Sequence, residues 1–418
     1  MNTPAERPAM LSLADALERL AAGAREALIT QAETVSTFDA LGRVLAEDVR
    51  SMVDVPPGDN SAMDGYALRA ADVPLAGTVL PVSQRIPAGT VGAPLQRGTA
   101  ARIFTGAQIP PGADAVVMQE QCEALDGAVR IQAVPTPGLA IRRRGEDVEK
   151  GAVVLARGTR LTPQGLGLAA AVGAGRLTVL RRPRVALFST GDELAMPGEV
   201  APEAMKPGAI YNSNRFMLRG LLQAAGCEVT DLGIVPDRLD ATRAALRQAA
   251  AGHDLIVSSG GVSVGEEDHL KPAMQAEGRL DLWQIAIKPG KPLAFGSVRR
   301  PEGGSALFLG LPGNPVSSFV TFVLAGRTLL HAMQGMGTAL PPALPMRADF
   351  ELKKADPKRR EFLRARLDAE GGLELFPNQS SGVLTSAVWA DGLIDLPPAT
   401  PVRRGDTVQF IPLSQLLA

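Results

Sequence analysis

Three short loops hold the residues whose types and spacing suit the handling of phosphates and a divalent cation. They are Ser189-Thr190-Gly191-Asp192-Glu193, the run from Ser258 to Asp268 (SSGGVSVGEED), and Leu311-Pro312-Gly313-Asn314-Pro315-Val316-Ser317. In the second loop Gly260, Gly261 and Gly265 let backbone N–H groups approach a ligand closely. Such groups, with the start of a following helix, attract anions. Ser259 and Ser263 add hydroxyls, and Glu266, Glu267 and Asp268 add carboxylates suited to a Mg2+ that bridges phosphates. The same pattern also describes a tight turn with a helix cap and solvated acids. It is neither GxGxxG nor GxxxxGK[ST], so it points to neither a nicotinamide fingerprint nor a P-loop. Asp192, Glu193 and Asp237 read either as cation ligands or as helix-capping acids.

Lys288-Pro289-Gly290-Lys291-Pro292 holds two ammonium groups in a stiff turn, which would suit a compact dianion such as phosphate, sulfate or molybdate. A solvated hairpin tip is the alternative. Arg142, Arg143 and Arg144, followed by Glu146 and Asp147, fit a surface ion-pair cluster better than a phosphate patch. The polar string Asp59–Ala67 (DNSAMDGYA) follows no periodicity that would explain it. Cys122 and Cys227 share no CxxC spacing, and three scattered histidines make no metal cluster.

These loops need a scaffold, and the chain supplies strand–helix alternation from Arg184 onward. RVALFST, CEVTDLGIV, DLIVSSGG and ALFLGLPG read as strands. LDLWQIAI and PLAFGSV read as a strand pair, and the intervening segments read as helices closed by PVSSFVTFVLAGRTLLHAM. That alternation predicts right-handed βαβ units around a parallel sheet, and ligands in such folds bind beyond the carboxyl ends of the strands. All three loops are therefore expected at one rim. Residues 10–30 predict an amphipathic helix capped by Ser12, residues 39–46 a short helix, and 163 onward a helix capped by Thr162. Residues 51–140 and 340–418 read as β-rich, with frequent Gly/Pro turns.

The 418 residues suggest about three domains. Lys+Arg (43) balance Asp+Glu (44), which excludes a nucleic-acid binder held by bulk charge and a polybasic membrane anchor. No apolar run is expected to reach the ~18 residues of a membrane helix, and no signal pattern opens the chain. With only two cysteines, the expectation is a soluble cytoplasmic protein with reduced thiols.

DNSAMDGYA, RIFTGA, AVVMQE, IRRRGED, FSTGDEL, SSGGVSVGEED, IKPGKP and LPGNPVS occur in that order. Together they resemble the molybdopterin molybdenumtransferases, the MoeA family that includes the E domain of gephyrin. The resemblance spans roughly residues 10–400. It implies an L-shaped homodimer of multidomain α/β plus β chains. The implied domains are a split domain I (1–50 and 140–183), a β-rich domain II (51–139), a MogA-like α/β domain III (184–335) and a C-terminal β-barrel domain IV (336–418). It also implies a reaction in which molybdate enters adenylylated molybdopterin and AMP leaves, with Mg2+ required.

On that resemblance, Ser189, Thr190, Gly191, Ser259, Gly260, Gly261, Ser263, Gly265, Pro312, Gly313, Asn314 and Pro315 would bind substrate phosphates. Asp192, Glu193, Asp237 and Asp268 would organise Mg2+, with Glu193 and Asp237 also catalytic. Lys288, Lys291, Ser317, Arg359 and Ser380 would receive molybdate. Asp64 and Thr105 would complete the site from the partner subunit, and Asp147 matches a functional acid. Contact with other molybdopterin-handling enzymes is a further expectation. Two positions depart from the pattern: Asn212 stands where an acid is frequent, and Gln284 near a frequent Lys. A molybdopterin adenylyltransferase shares the α/β domain and a similar loop. The additional β domains and IKPGKP favour the molybdenumtransferase. Tungstate is nearly isosteric with molybdate and fits the same description.

Overall fold

The computed structural model describes residues 10–262 and 269–417, so Ser263, Gly265, Glu266, Glu267 and Asp268 lie outside the described residues. The chain divides into two compact units, one from Met1–Glu33, Gly42–Val44 and Leu180–Ala418, the other from Thr34–Leu41 and Leu45–Val179.

The first unit is organised by a six-stranded sheet. Its strand order is Glu228–Val235, Arg184–Thr190, Leu255–Ser259, Ser305–Leu311, Pro292–Arg299, Gly278–Gln284. The first four strands pair in parallel, and Pro292–Arg299 pairs antiparallel with both Ser305–Leu311 and Gly278–Gln284. The side-chain alternation of a strand sends successive residues to opposite faces. Val185, Leu187, Leu255, Val257, Leu307 and Leu309 therefore meet one helical layer, which contains Leu218, Leu222 and the Pro315–Met333 helix. Ala186, Phe188, Ile256 and Phe308 meet the other layer, which includes Leu246, Ala249, Leu270 and Met274.

The expected caps are present: Ser12 Oγ accepts from Asp15 N at 3.1 Å, and Thr162 Oγ1 from Gly165 N at 3.2 Å. The Pro315–Met333 helix corrects one expectation. It has the length and apolar character of a membrane span (mean hydropathy 1.3), but 89% of it is buried, as a core helix of the sheet.

The C-terminal strands form a second six-stranded sheet, ordered Ile287–Lys288, Arg360–Leu367, Gly392–Leu396, Thr407–Pro412, Leu344–Arg347, with Leu373–Leu375 paired to Arg360–Leu367. Its own core holds Leu363, Ala365, Ile394 and Phe410. Phe362, Leu393 and Ile411 point the other way and join the core of the central sheet.

The second unit carries a six-stranded sheet ordered Ala115–Met118, Gly65–Leu68, Ala100–Ile103, Thr78–Ile86, Ala128–Ile131, Cys122–Leu125. Residues 39–46 do not form the expected α-helix. Thr37–Asp39 makes a single 3-10 turn, Gly42 has φ 72°, and the Leu45 and Ala46 N–H groups bond Thr159 O and Thr178 O at 3.0 Å. Long-range backbone pairing outcompetes local helix propensity here.

Candidate functional site

Strand order reverses between Arg184–Thr190 and Leu255–Ser259, so the loops leaving these strands diverge and open a crevice. A cleft of about 690 Å³ lies there. Thr190, Gly191 and Glu193 of the first loop line it, with Ser259, Gly260 and Gly261 of the second and Pro312, Gly313, Asn314, Pro315 and Ser317 of the third. Asp237, Asn212, Asn214, Pro292 and Gly382 are also part of the wall. The three loops thus meet at one rim, as the alternation of strands and helices requires.

Close backbone contacts fix the floor. Gly260 N donates to Leu311 O at 3.1 Å, and Ser189 and Ser259 are buried with their Oγ atoms 3.1 Å apart. Gly260 has φ 89°, and a Cβ there would sit 2.7 Å from Thr190 O, so only glycine lets these loops approach so closely. Asp237 N donates to Asp192 Oδ1 at 3.3 Å, which holds two of the expected acids together, and Glu193 faces the cleft beside them. These hard carboxylate oxygens suit Mg2+.

The two lysines of IKPGKP have different surroundings. The Lys288 ammonium pairs with Glu361 Oε1 at 2.8 Å; Glu361 is 3% exposed, and its Oε2 accepts from Asp356 N at 2.7 Å. Ile287–Lys288 also pairs in parallel with Arg360 and Glu361. Lys288 thus anchors the loop to the C-terminal sheet. Lys291 forms no ion pair among the described residues, and its neighbour Pro292 lines the cleft. Glu361→Gln is expected to cost about 1–3 kcal/mol in chemical denaturation, because it removes the charge of a buried carboxylate that holds both the exposed Lys288 ammonium and the Asp356 amide. Amide exchange at Ile287 and Lys288 should quicken in parallel.

Arg359 bonds Asp356 at 2.6 and 2.9 Å, and Ser380 N donates to Asn378 Oδ1 at 3.0 Å; neither lines the cleft. The C-terminal sheet reaches the site through the next residues. Ser381 O accepts from Val316 N at 3.0 Å, and Gly382 is part of the wall.

The arginine that stands out is Arg364, which sequence reasoning missed. It is 1% exposed and on the strand face of Phe362, toward the central core. Its Nε bonds Ser386 Oγ and its Nη1 bonds Phe362 O, both at 3.1 Å, while Nη2 has no partner among the described residues. Gln379 brackets its backbone on both sides at 2.9 Å, which ties Arg364 to the segment that walls the cleft. Burial pushes its guanidinium down to a pKa of about 10.

Three close-set carboxylates, Asp349, Asp368 and Glu370, lie in loops of the C-terminal sheet, with Arg347 2.7 Å from Asp349. None of them lines the cleft.

Asp64, Thr105 and Asp147 belong to the second unit. Asp64 Oδ1 accepts from both Thr105 N and Thr105 Oγ1 at 2.7 Å. The Thr105 amide, then its hydroxyl, then the charge of Arg102 hold the Asp64 carboxyl below its ordinary range, and desolvation only partly opposes them. Arg102 also bonds Gly65 O at 2.8 Å and stacks 4.6 Å from the Phe104 ring. Arg143 and Arg144 are engaged by Asp59 and Asp54 at 2.7 and 2.6 Å, as an ion-pair cluster requires. Asp147 is exposed, and its amide bonds Val55 O at 3.0 Å.

The fold and cleft define an α/β domain of doubly wound type with a polar ligand site at its switch point, joined to β-rich parts. Three family models match: the MoeA N-terminal region (domain I and II) over residues 11–173, a probable molybdopterin binding domain over 186–332, and the MoeA C-terminal region (domain IV) over 346–413. A molybdopterin molybdenumtransferase of Haemophilus influenzae is 39% identical over 93% of this chain and 95% of its own length. Molybdopterin molybdenumtransferase 2 of Mycobacterium tuberculosis is 39% identical over 87% of this chain and 90% of its own. Among solved structures, a molybdopterin biosynthesis MoeA protein from Pyrococcus horikoshii OT3 superposes with a TM-score of 0.80 at 29% identity, covering 96% of this chain and 99% of that one. The chain belongs to the molybdopterin molybdenumtransferase (MoeA) family.

Proposed function

We propose that this chain is a cytoplasmic transferase of molybdenum cofactor biosynthesis, which inserts molybdate into adenylylated molybdopterin with release of AMP. The observation that carries this reading is the cleft, where three loops converge with glycine-loop backbone and carboxylates in one place. Backbone N–H groups around Gly260 and Gly313 would hold the diphosphate, a polyanion that prefers fixed donors over water. Glu193 and Asp237, with Asp192 behind them, would hold Mg2+, which when bound neutralises phosphate charge. Lys291 is the IKPGKP lysine left to attract molybdate, since Lys288 is neutralised by Glu361. In a homodimer, Asp64 and Thr105 would join the cleft of the partner subunit.

Purified protein given adenylylated molybdopterin, molybdate and Mg2+, without ATP, is expected to release AMP in step with cofactor formation. No AMP release would overturn the reading, and an ATP requirement would favour an adenylyltransferase.

Asp64→Asn is expected to abolish this turnover while leaving the second unit folded. Thr105→Val removes the hydroxyl donor, so Asp64 protonates at higher pH than in the wild type. A depressed carboxyl keeps its charge as pH falls and loses it only below the ordinary carboxylate range. The acid limb of the Thr105→Val rate profile should therefore move to higher pH. An unmoved limb would remove Asp64 from the reaction.

A further inference from the structure

Asp64 and Thr105 flank two paired strands, and one arginine contacts the chain neighbours of both. Arg102 stands directly opposite Tyr66 where Gly65–Leu68 pairs antiparallel with Ala100–Ile103. Its half-buried guanidinium lies against the rings of Tyr66 and Phe104, 5.2 and 4.6 Å from their centroids. Nη1 donates to Gly65 O at 2.8 Å, and Nη2 donates to Gln119 Oε1 at 2.6 Å. Gln119 is itself fixed at two points. Its backbone N donates to Asp64 O at 3.0 Å, and its Nε2 donates to Glu120 Oε1 at 3.2 Å. The second bond settles which end of that amide faces the guanidinium.

Three short segments therefore meet at one fork. Gly65 follows Asp64, Phe104 precedes Thr105, and Gln119 bonds the Asp64 carbonyl. A planar guanidinium holds such partners at set angles, which an ammonium group does not. The Asp64 carboxylate between these segments is held on one side. Both Thr105 donors bond Oδ1 at 2.7 Å, and Oδ2 receives no hydrogen bond among the described residues. Neither hydrogen-bond partner of the fork is a carboxylate. The charge of Arg102 thus adds to the hold that the Thr105 amide and hydroxyl have on the ionised form of Asp64. The other charged or titratable groups at these segments are Arg85, 4.5 Å from the Phe104 ring centroid, Glu120, Tyr66 and Cys122.

We infer that Arg102 is the positioning residue of the Asp64–Thr105 pair: its fork sets the ends of the two strands so that Thr105 holds Oδ1 and Oδ2 stays free for the reaction. The inference rests on the transferase reading for the reaction that Asp64 serves. Any cation in this place would meet a role of charge alone, and any long side chain a role of packing alone. Joining three segments at fixed angles needs the fork.

The test uses the full-length chain, with AMP release and the titration of the Asp64 carboxyl as separate readouts. The carboxyl is followed by 13C NMR of aspartate-labelled protein, and its signal is assigned by its loss in Asp64→Asn. Arg102→Lys keeps the charge and loses the fork. Its kcat should fall about 10–100-fold with KM for adenylylated molybdopterin unchanged, because a misplaced group acts on the chemical step. Its Asp64 should titrate at higher pH than in the wild type, since the Thr105 donors are no longer held in place. Gln119→Met, at an exposed position that does not endanger the fold, removes the acceptor of Nη2 and should move both readouts the same way by less. Arg85→Met removes the other guanidinium at Phe104 and should leave both at wild-type values. An Arg102→Lys protein with wild-type titration overturns the inference, and so does a lowered melting temperature with an unmoved titration. A shift in Arg85→Met as large as in Arg102→Lys assigns the effect to the seating of Phe104 and overturns it too. Absence of AMP release by the wild type rejects the transferase reading, and the titrations still decide the role of Arg102.

Discussion

Arg364→Met is expected to keep or raise the melting temperature and to lower molybdate-dependent AMP release by about 100-fold or more. Two effects combine to give this opposite movement. The guanidinium is almost wholly buried without a carboxylate among the described residues, and desolvation alone lowers its pKa from the ordinary arginine range to about 10. That drop corresponds to roughly 3 kcal/mol of destabilisation carried by the charged form. The folded state binds this proton less tightly than the unfolded chain. The penalty is therefore present in full below about pH 10 and is relieved only as pH climbs from there toward the ordinary arginine range. A methionine of similar reach removes the penalty, at the cost of the Ser386 and Phe362 contacts. Arg364 does not line the cleft, but its bonds to Gln379 and Ser386 hold the segment whose Gly382 is part of the wall, so its loss is expected to reach turnover by moving that wall. Thermal melts and steady-state AMP release on the same preparations check both halves. Arg364→Lys should rescue little, because a point charge does not reproduce the guanidinium fork. Wild-type turnover in the methionine variant would confine Arg364 to packing.

Much of this architecture could be read from the residues, and the parts that could not share one cause. The strands before each loop are continuous apolar runs, so their burial on two faces and their parallel pairing follow from composition. Once those strands are parallel, the three loops must share a rim, and twelve of the expected residues line one cleft. The difficulties arose where charges meet across long sequence separations. REFLRAR looks like a strand with a charged solvent face, yet Glu361 and Arg364 are both buried, on opposite faces of it. Glu361 is satisfied by Lys288, which no local pattern discloses. IKPGKP therefore reads as two equivalent lysines in sequence and, among the described residues, as one anchor and one cation without an ion pair in space. Arg359 and Arg364 are likewise equivalent as letters. Asp356, three residues before Arg359, neutralises the first, and no carboxylate neutralises the second among the described residues. The same competition between local and distant partners dissolved the helix expected at 39–46.

Gly260→Ala is expected to destabilise the first unit by about 3 kcal/mol and to lower turnover by about 100-fold. Alanine at φ 89° costs roughly 1–2 kcal/mol, since a Cβ disfavours the left-handed region. The new Cβ would also lie 2.7 Å from Thr190 O, a backbone atom fixed by parallel pairing of the Arg184–Thr190 strand on both sides. That atom cannot swing aside as a side chain would, so the two loops must part. Parting them moves Gly191 and Glu193 away from Ser259 and Gly261, and displacements near 1 Å suffice for losses of this size. Gly313→Ala is the control. Gly313 lines the same cleft without a positive φ, and among the described residues a Cβ there meets only Gly260 Cα at 3.9 Å, an ordinary contact. Its stability should stay within about 0.5 kcal/mol of the wild type. Chemical denaturation of both variants, read with AMP release, separates strain at the switch point from bulk in the cleft. A Gly260→Ala protein that melts and turns over like the wild type would mean that the close approach of the two loops is not what assembles the site.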